Sequence, residues 1–226
     1  MQNRTMESVI ASSTGKLLRD HFGKGPEALY VTVAKPFITI YLRNFLAPME
    51  KVLLDIENEV KVQDTRDVLM EKIIPEMNTI LSAETGEKMA HIYYDWSFPN
   101  QSGLIFAEME TEEPVTEEDY DYPARSMVHQ EIDRITREAQ KPPHALRSYM
   151  LNSRTLFTKR EDILVMIEQE LINSGFEEEL RLTKRRLEKR LLNIGFLEAE
   201  LGQKIEDVFV DWNFEEDTGY MIFILK

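Results

Sequence analysis

Apolar residues recur along this chain with two periods, which predict alternating helices and β-hairpins. The segment Glu7–Phe22 has helical spacing and precedes Gly23, a residue type that commonly ends helices. Residues 29–33 and 37–42 alternate between apolar and polar positions around a proline-containing turn at 34–36. The first part of the chain therefore predicts a helix followed by a two-stranded hairpin.

A second helical region is predicted after this hairpin. Pro48 suits the first turn of a helix, and Asp64 is a candidate cap for a stretch that reaches Thr85. Pro75 is expected to kink or break that stretch because it lacks an N–H and clashes with the preceding turn. Gly86 then supplies the left-handed residue that ends the helix.

The chain contains an internal repeat. Residues 81–109 align with residues 197–225 without a gap, and each copy holds one of the two tryptophans at the same place. The matched pairs are Gly86–Gly202, Lys88–Lys204, Asp95–Asp211, Trp96–Trp212, Phe98–Phe214 and Gly103–Gly219. In the second copy, Thr158 and Glu161 have the spacing of a capping box ahead of the apolar run Ile163–Ile167. The repeat predicts a tandem duplication.

The last hairpin of each copy has one strongly apolar face. Alternation in the first copy places Ile92, Tyr94, Trp96 and Phe98 on one side of a strand, which we expect to lie under the helices. Tyr93 and Asp95 then lie on the opposite side. The final strand, from Tyr220, is apolar on both faces, so we expect the other repeat or another chain to cover it.

These patterns predict an α+β protein built from two tandem αββαββ repeats. Each repeat is expected to form a small antiparallel or mixed sheet with helices on one face, and a pseudo-twofold axis is expected to relate the two. We predict a first repeat over 1–110, an acidic linker over 111–125 and a second, diverged repeat over 126–226. From Glu108 to Asp121 there are eight acids and no Lys or Arg, which indicates a solvated linker or, alternatively, a docking tail for a basic partner.

Composition narrows the function classes. The chain has 27 Lys plus Arg against 41 Asp plus Glu, a net charge of −14, which disfavours broad binding to nucleic acid or anionic membranes. It contains no cysteine, which excludes disulfides and thiolate zinc sites. No run approaches the roughly 18 to 20 apolar residues of a membrane span, and the N-terminal sequence lacks the apolar core of a signal peptide. We therefore expect a cytoplasmic protein.

The repeated Asp-Trp pairs are the first candidate site. Asp95 and Asp211, with Tyr94, are candidate ligand-binding residues because a recurring acid can act as a general base or a ligand group. The competing interpretation is structural: the tryptophan fills the core while the aspartate hydrogen-bonds an adjoining turn. Both interpretations remain open at this point.

The sequence gives little support for a metal site or for a nucleophilic catalytic serine. His91 shares a strand face with Asp95, but Asp207 stands at its matched position in the second copy, and no His-x-His or His-x-x-x-His spacing occurs. The serines lack the context of a nucleophile elbow. We predict no metal site, no cofactor and no catalytic residue.

Residues 181–190 form the one basic run. Lys184, Arg185 and Arg186 are candidate partner-binding residues, facing the acidic linker or an acidic protein. The competing interpretation places these charges on the solvated face of a helix whose buried stripe contains Leu180, Leu187, Leu191 and Ile194. A third hypothesis, nucleic-acid binding, predicts an affinity that falls steeply with salt, and we do not expect it.

The turns of the first copy resemble those of the MpsC family, also known as YbcI-like proteins. The resemblance rests on Gly-Lys-Gly-Pro at 23–26, the Leu-Ala-Pro-Met-Glu-Lys helix start at 46–51, Pro75, the Ala-Glu-Thr-Gly at 83–86 and a strand ending near Asp95. Residues 1–110 match the pattern better than the second copy, which lacks both of the first two motifs.

The resemblance implies a non-enzymatic accessory or regulatory protein of the cytoplasm. The family is linked to a bacterial sodium-translocating, membrane-potential-generating system, which implies a protein partner such as a membrane transporter subunit for sodium or inorganic carbon. The chain is then expected to be a monomer with an internal pseudo-dimer, or a homodimer. The alternative is a small-molecule sensor or an unrecognised enzyme that uses a cleft between the repeats near Asp95 and Asp211.

Overall fold

The computed structural model describes residues 5–56, 59–111 and 115–226. The chain divides into two compact units, Met1–Pro114 and Val115–Lys226. Of the predicted acidic linker over 111–125, residues 112–114 lie outside the described residues, and the rest from 115 onward belongs to the second unit. The boundaries predicted for the two repeats and the linker stay predictions.

The first unit follows the predicted order of helix, hairpin, helix and hairpin. Its elements are α1 Met6–Phe22, β1 Ala28–Ala34, β2 Phe37–Arg43, α2 Pro48–Asp55, α3 Glu59–Thr85, β3 Met89–Ser97 and β4 Ser102–Met109. Gly23 and Gly86 follow α1 and α3 with positive φ angles of 70° and 75°, a conformation that glycine adopts without steric cost.

The second unit repeats this order with an extra turn at its start and a divided second helix. Its elements are a 3-10 helix Glu117–Tyr120, α4 Arg125–Ala139, β5 Ala145–Asn152, β6 Thr155–Glu161, α5 Met166–Asn173, α6 Glu177–Leu191, α7 Ile194–Leu201, β7 Ile205–Asn213 and β8 Thr218–Leu225. The α+β class with two similar halves is therefore confirmed.

The two sheets have the same topology. The strand orders are β1-β2-β4-β3 and β5-β6-β8-β7, and every neighbouring pair is antiparallel. Trp96 pairs with Gly103 in the first sheet as Trp212 pairs with Gly219 in the second, so the sequence repeat extends to strand register. The pseudo-twofold relation stays a prediction.

Each unit packs its helices against one face of its own sheet. In the first unit, Leu18 of α1 and Met77 of α3 join Ile40, Ile105 and other sheet residues in one buried cluster. The predicted apolar face of β3 lies in or against this cluster. All residues of β8 are buried, including those on the face that points away from the cluster.

The predictions for Asp64 and Thr158 were wrong, and the prediction for Pro75 was wrong in part. Helix α3 spans Glu59–Thr85, so Asp64 lies inside the helix rather than at its cap. Pro75 does not break α3, because the helix continues through it and burial of the flanking Ile73 and Met77 stabilises it despite the lost hydrogen bond; the kink stays a prediction. Thr158 lies in β6, whose backbone pairs with both β5 and β8, so no capping box forms there.

Candidate functional site

A buried carboxylate at the start of α2 joins this helix to α3. The Glu50 carboxylate accepts a hydrogen bond from the backbone N–H of Ala47 at 2.6 Å, which caps the helix. Arg66 of α3 donates to both oxygens of Glu50, from Nε at 2.7 Å and from Nη2 at 2.8 Å, and Nη2 also donates to the Phe45 carbonyl at 2.7 Å. This bidentate pair holds α2 rigidly on the unit.

Aromatic rings surround the Arg66 guanidinium. Its central carbon lies 4.4 Å from the ring centroid of Trp96 and 5.0 Å from that of Phe45. The rings of Phe98 and Phe22 lie at 5.4 Å and 5.5 Å. Because ring faces attract cations, the cage stabilises a charge that has left water and ties the repeated tryptophan to α3.

The second unit builds the same anchor with a lysine. Glu168 of α5 accepts from the backbone N–H of Val165 at 3.0 Å and from Lys184 Nζ of α6 at 2.7 Å. The same Nζ lies 5.4 Å from the ring centroid of Trp212. Burial lowers the pKa of Lys184, and the carboxylates of Glu188 and Glu168 oppose that shift without cancelling it.

These anchors hold short helices whose outer faces are apolar. On α2, Met49 is 77% exposed and Val52 is also exposed, as is Ile56 at the C-cap directly after the helix. On α5, Met166 is 82% exposed and Ile167 is exposed beside it. Single exposed apolar residues are common, but corresponding helices of both units present a group of them. These faces are candidate interaction surfaces.

The Asp-Trp pair of the first unit is held by local hydrogen bonds. Asp95 is buried, and its Oδ1 accepts from the backbone N–H of Trp96 at 2.7 Å. Tyr94 points to the other side of β3, where its hydroxyl donates to Asp67 of α3 at 3.1 Å. Tyr94 and Asp95 therefore do not converge within this unit, because neighbouring residues of a strand face opposite sides.

Asp211 of the second unit is also buried and paired. Its Oδ1 accepts from the backbone N–H of Trp212 at 2.9 Å and from Arg181, and it lies 3.6 Å from Arg185 Nη2. Arg181 also donates to the Trp212 carbonyl at 2.9 Å. These bonds favour the structural interpretation of the repeated aspartates, while their assignment as ligand-binding residues stays a prediction.

The basic run of α6 is not a uniformly solvated face. Lys184 and Arg185 are buried, and only Arg186 of the three partner-binding candidates is exposed. Lys184 bonds Glu168 as described, and Arg185 Nε donates to the Val210 carbonyl at 3.1 Å. The expectation that these charges all lie in solvent is corrected, because tertiary partners hold two of them in the interior.

A second buried ion pair lies deeper in this unit. Arg160 of β6 and Glu188 of α6 are both fully buried, and Nη2 donates to Oε2 at 2.6 Å. Glu188 also accepts from Gln140 Nε2 at 2.8 Å, and Arg160 donates to Thr136 Oγ1 at 3.1 Å. The four side chains form a network that joins the sheet to α4 and α6.

The acidic segment before α4 docks on β5. Glu117 accepts from the backbone N–H of Ser148 at 2.7 Å and lies 3.4 Å from His129 Nε2. The Ser148 hydroxyl bonds His129 at 2.8 Å and the Tyr122 hydroxyl at 2.7 Å. Burial raises the pKa of Tyr122 to about 12, and burial lowers the pKa of His129 although Glu117 opposes that shift. Ser148 is fully buried, so the cluster acts as a structural latch.

The latch makes stability sensitive to pH. Because the pKa of His129 is lower in the folded protein than its ordinary 6.5, the unfolded chain takes up a proton first as the pH falls. The contribution of His129 is complete above pH 6.5 and is lost as the pH falls toward the folded pKa. We expect urea unfolding to show a smaller loss of stability between about pH 7.5 and 5.5 in His129→Gln than in the unaltered protein. The exposed His144→Gln is the control, and equal losses in all three proteins would contradict the prediction.

Other candidate chemistry is sparse in the described residues. A shallow cavity of about 240 Å³ is lined by Gln130, Glu131, Arg134, Asn193 and Phe196. Its two charged residues form an ion pair, with Arg134 Nη2 2.7 Å from Glu131 Oε1. Across the described ranges, no group of three or more His, Asp or Glu is placed to hold a metal ion.

Comparison with known proteins places the first unit in a family. The family model described as "Na+-translocating membrane potential-generating system (MpsC)" matches residues 2–110. The first half of this chain belongs to the MpsC family. The match lies within the first unit and includes the Glu50–Arg66 anchor and the apolar face of α2.

The comparisons stop at this family. No curated protein and no solved structure matches the chain. None of the helices in the described part of the chain combines the length and apolarity that a membrane crossing requires. Beyond the MpsC half, the second unit is characterised only by its likeness to the first.

Sequence reasoning missed the buried anchors. In the sequence, Glu50 stands out only as part of a helix start, and no motif marks Arg66 or Glu168. The available signal was the spacing of Arg66 from Val62, Met70 and Ile73, which places it on the buried stripe of α3. A charge on such a stripe indicates a buried partner.

Proposed function

We propose that this protein is a non-enzymatic accessory or regulatory protein of the cytoplasm that binds a protein subunit of a membrane ion-transport system. The MpsC family description supports the link to a sodium-translocating system. The accessory role is supported by the hydrogen bonds of Asp95 and Asp211, the candidate ligand-binding residues, because each carboxylate accepts from the backbone N–H of the adjacent tryptophan.

The apolar outer face of α2 carries the proposal. Met49, Val52 and Ile56 follow helical spacing and are each more than half exposed. The Glu50–Arg66 anchor beneath them holds the helix in place, which lowers the ordering cost of binding at this face. A rigid helix with one face in the core and an apolar outer face fits a protein interface.

Cross-linking in the native cell tests this role. A photoreactive amino acid is placed at Val52, and the control position is Lys72, an exposed residue of α3. We expect Val52 to form a specific adduct with an integral-membrane protein, recovered from the membrane fraction and identified by mass spectrometry. Adducts confined to soluble proteins, or equal adducts at both positions, would overturn the proposal.

Substitution on α2 gives the matching quantitative prediction. Met49→Ser with Val52→Ser is expected to lower recovery of that adduct, measured with the photoreactive group moved to Ile56, by at least about tenfold. Losing the burial of two large apolar side chains removes about 3 kcal/mol or more of binding energy. The folded stability should change little because both residues are exposed. Val68→Ser, an exposed apolar residue of α3, is the matched control.

A further inference from the structure

The outer surface around α5 differs from that of α2 in its charges. Residues 166–180 contain five glutamates and no Lys or Arg. The corresponding helix α2 carries the exposed Lys51 beside the exposed Asp55, so its surface is mixed in charge. The two units therefore present apolar helix faces with different electrostatic surroundings.

Apolar and acidic side chains are interleaved on this surface. Met166, Ile167 and Leu171 of α5 and Phe176 just before α6 are exposed, and Phe176 is half exposed at 50%. Glu170 and Glu179 are also exposed. We name these six residues the acidic docking face.

The face is held in place from below. Lys184 bonds Glu168 at the first turn of α5, and Arg181 bonds Glu177 at 2.8 Å at the first turn of α6. Glu178 also lies 3.7 Å from Arg181. Arg181 and Lys184 are therefore directed at acids of their own helix pair. Glu170 and Glu179 are exposed and give the outer surface a negative rim.

We propose that the acidic docking face binds a Lys/Arg-rich amphipathic segment of a protein partner. The apolar side chains of such a segment would cover Met166, Ile167 and Phe176, and its cations would meet Glu170 and Glu179. This inference rests on the proposed function, because cytoplasmic segments of membrane proteins near their spans are enriched in Lys and Arg. An anionic lipid surface is the alternative partner for an amphipathic face of this kind. The net charge of −14 disfavours it, because the protein and the lipid surface would repel each other.

The chemistry predicts a specific dependence on conditions. Burial of the apolar side chains supplies most of the affinity, while the acidic rim supplies orientation and attraction over about a Debye length. Raising the salt concentration is therefore expected to weaken binding severalfold without abolishing it.

A synthetic peptide tests the inference with the full-length protein. The probe is an 18-residue labelled peptide of leucine and lysine, with the leucines on one helical face. A scrambled peptide of the same composition and an otherwise identical peptide with glutamate in place of lysine are the controls. Fluorescence anisotropy should give an affinity for the probe at least tenfold higher than for either control peptide.

Protein variants locate the binding. Met166→Ser with Ile167→Ser, and separately Glu170→Lys with Glu179→Lys, should each weaken probe binding at least tenfold. Val68→Ser controls for loss of an exposed apolar residue, and Asp20→Lys with Glu71→Lys controls for the change in net charge. Both controls should bind as the unaltered protein does.

Three outcomes would overturn the inference. Binding that the acidic-face variants leave unchanged would place the site elsewhere. Equal affinity for the lysine and glutamate peptides would remove the charge argument. Sedimentation with vesicles of phosphatidylglycerol and phosphatidylcholine that depends on Met166 would identify a lipid surface instead. Because the Val52 cross-linking uses a different helix, it can succeed or fail independently of these results.

Discussion

Replacing Glu188 with methionine is expected to lower the free energy of unfolding of the second unit by about 3–5 kcal/mol. The substitution leaves the fully buried Arg160 without its carboxylate partner at 2.6 Å, and Gln140 Nε2 loses its acceptor. A buried charge without a partner has lost its hydration and receives no compensating attraction. The loss of unfolding free energy therefore reflects the cost of the unpaired buried charge and not the net stabilisation that the ion pair provides.

The first unit indicates which second substitution restores stability. Arg160 pairs with Gly219 in the second sheet, and Leu42 pairs with the equivalent Gly103 in the first. Glu188 lies one helical turn after Lys184, as the buried Met70 lies one turn after Arg66. The first unit therefore fills both places with apolar side chains.

We expect the free energy of unfolding of the double variant Arg160→Leu, Glu188→Met to lie within about 2 kcal/mol of that of the unaltered protein, because apolar groups of similar volume often replace a buried ion pair at little cost.

Native-state hydrogen exchange measures the stability of the Glu188→Met variant and of the double variant. Mass spectrometry of peptides from β6 and β8 reports the second unit separately from β2 and β4 of the first. Glu179→Met, an exposed position on the same helix, controls for the substitution itself and should change stability by less than about 0.5 kcal/mol. A double variant as unstable as Glu188→Met alone would show that the unpaired charge is not the cause.

Replacing Gly103 with alanine is expected to destabilise the first unit by about 3 kcal/mol. A Cβ atom at this position would lie 2.3 Å from Cε3 and 2.4 Å from Cζ3 of Trp96. The indole is buried and surrounded by its aromatic neighbours and Arg66, so it cannot move away without disturbing the cage. The absence of a side chain at Gly103 thus leaves the space that the Trp96 indole occupies.

Alanine substitutions at two other glycines serve as comparisons for this prediction. At Gly219 the nearest atom to a new Cβ would be Ile163 Cδ1 at 2.7 Å, the end of a flexible side chain, so Gly219→Ala is expected to cost less than Gly103→Ala. At Gly195, inside α7, the nearest atom is Asn193 Oδ1 at 3.8 Å, and Gly195→Ala is expected to be neutral or stabilising. Thermal and urea unfolding of the three variants should give this ranking. A Gly103→Ala protein as stable as Gly195→Ala would rule out the steric explanation.

Much of the fold was predictable from short-range patterns. The matched Trp96–Gly103 and Trp212–Gly219 pairs predicted equivalent hairpins, and the structure pairs these residues directly across neighbouring strands. Such pairing depends on alternation and turn position, which a single sequence records. The Thr158 capping box failed because β6 makes ladder bonds on both sides, and those partners are distant in sequence.

The candidate surfaces were less predictable than the fold. Met166 and Ile167 belong to an apolar run, and nothing local distinguishes them from the buried Ile163 and Leu164 just before them. The distinction arises because Glu168 turns inward to Lys184 and orients α5. The pairing joins residues from two different helices, so helical periodicity within either one does not reveal it.

Residue types and their spacing were sufficient to predict the order of helices and hairpins, the equivalence of the two last hairpins and the absence of cysteine chemistry. These features depend on residue type and on spacing over a few positions. In contrast, the burial of Arg66, Lys184 and Arg160 and the exposure of the apolar faces of α2 and α5 became visible in the folded protein alone. Burial of a charge depends on whether a carboxylate or an aromatic ring from elsewhere in the chain compensates its lost hydration, and only the folded chain brings those groups together.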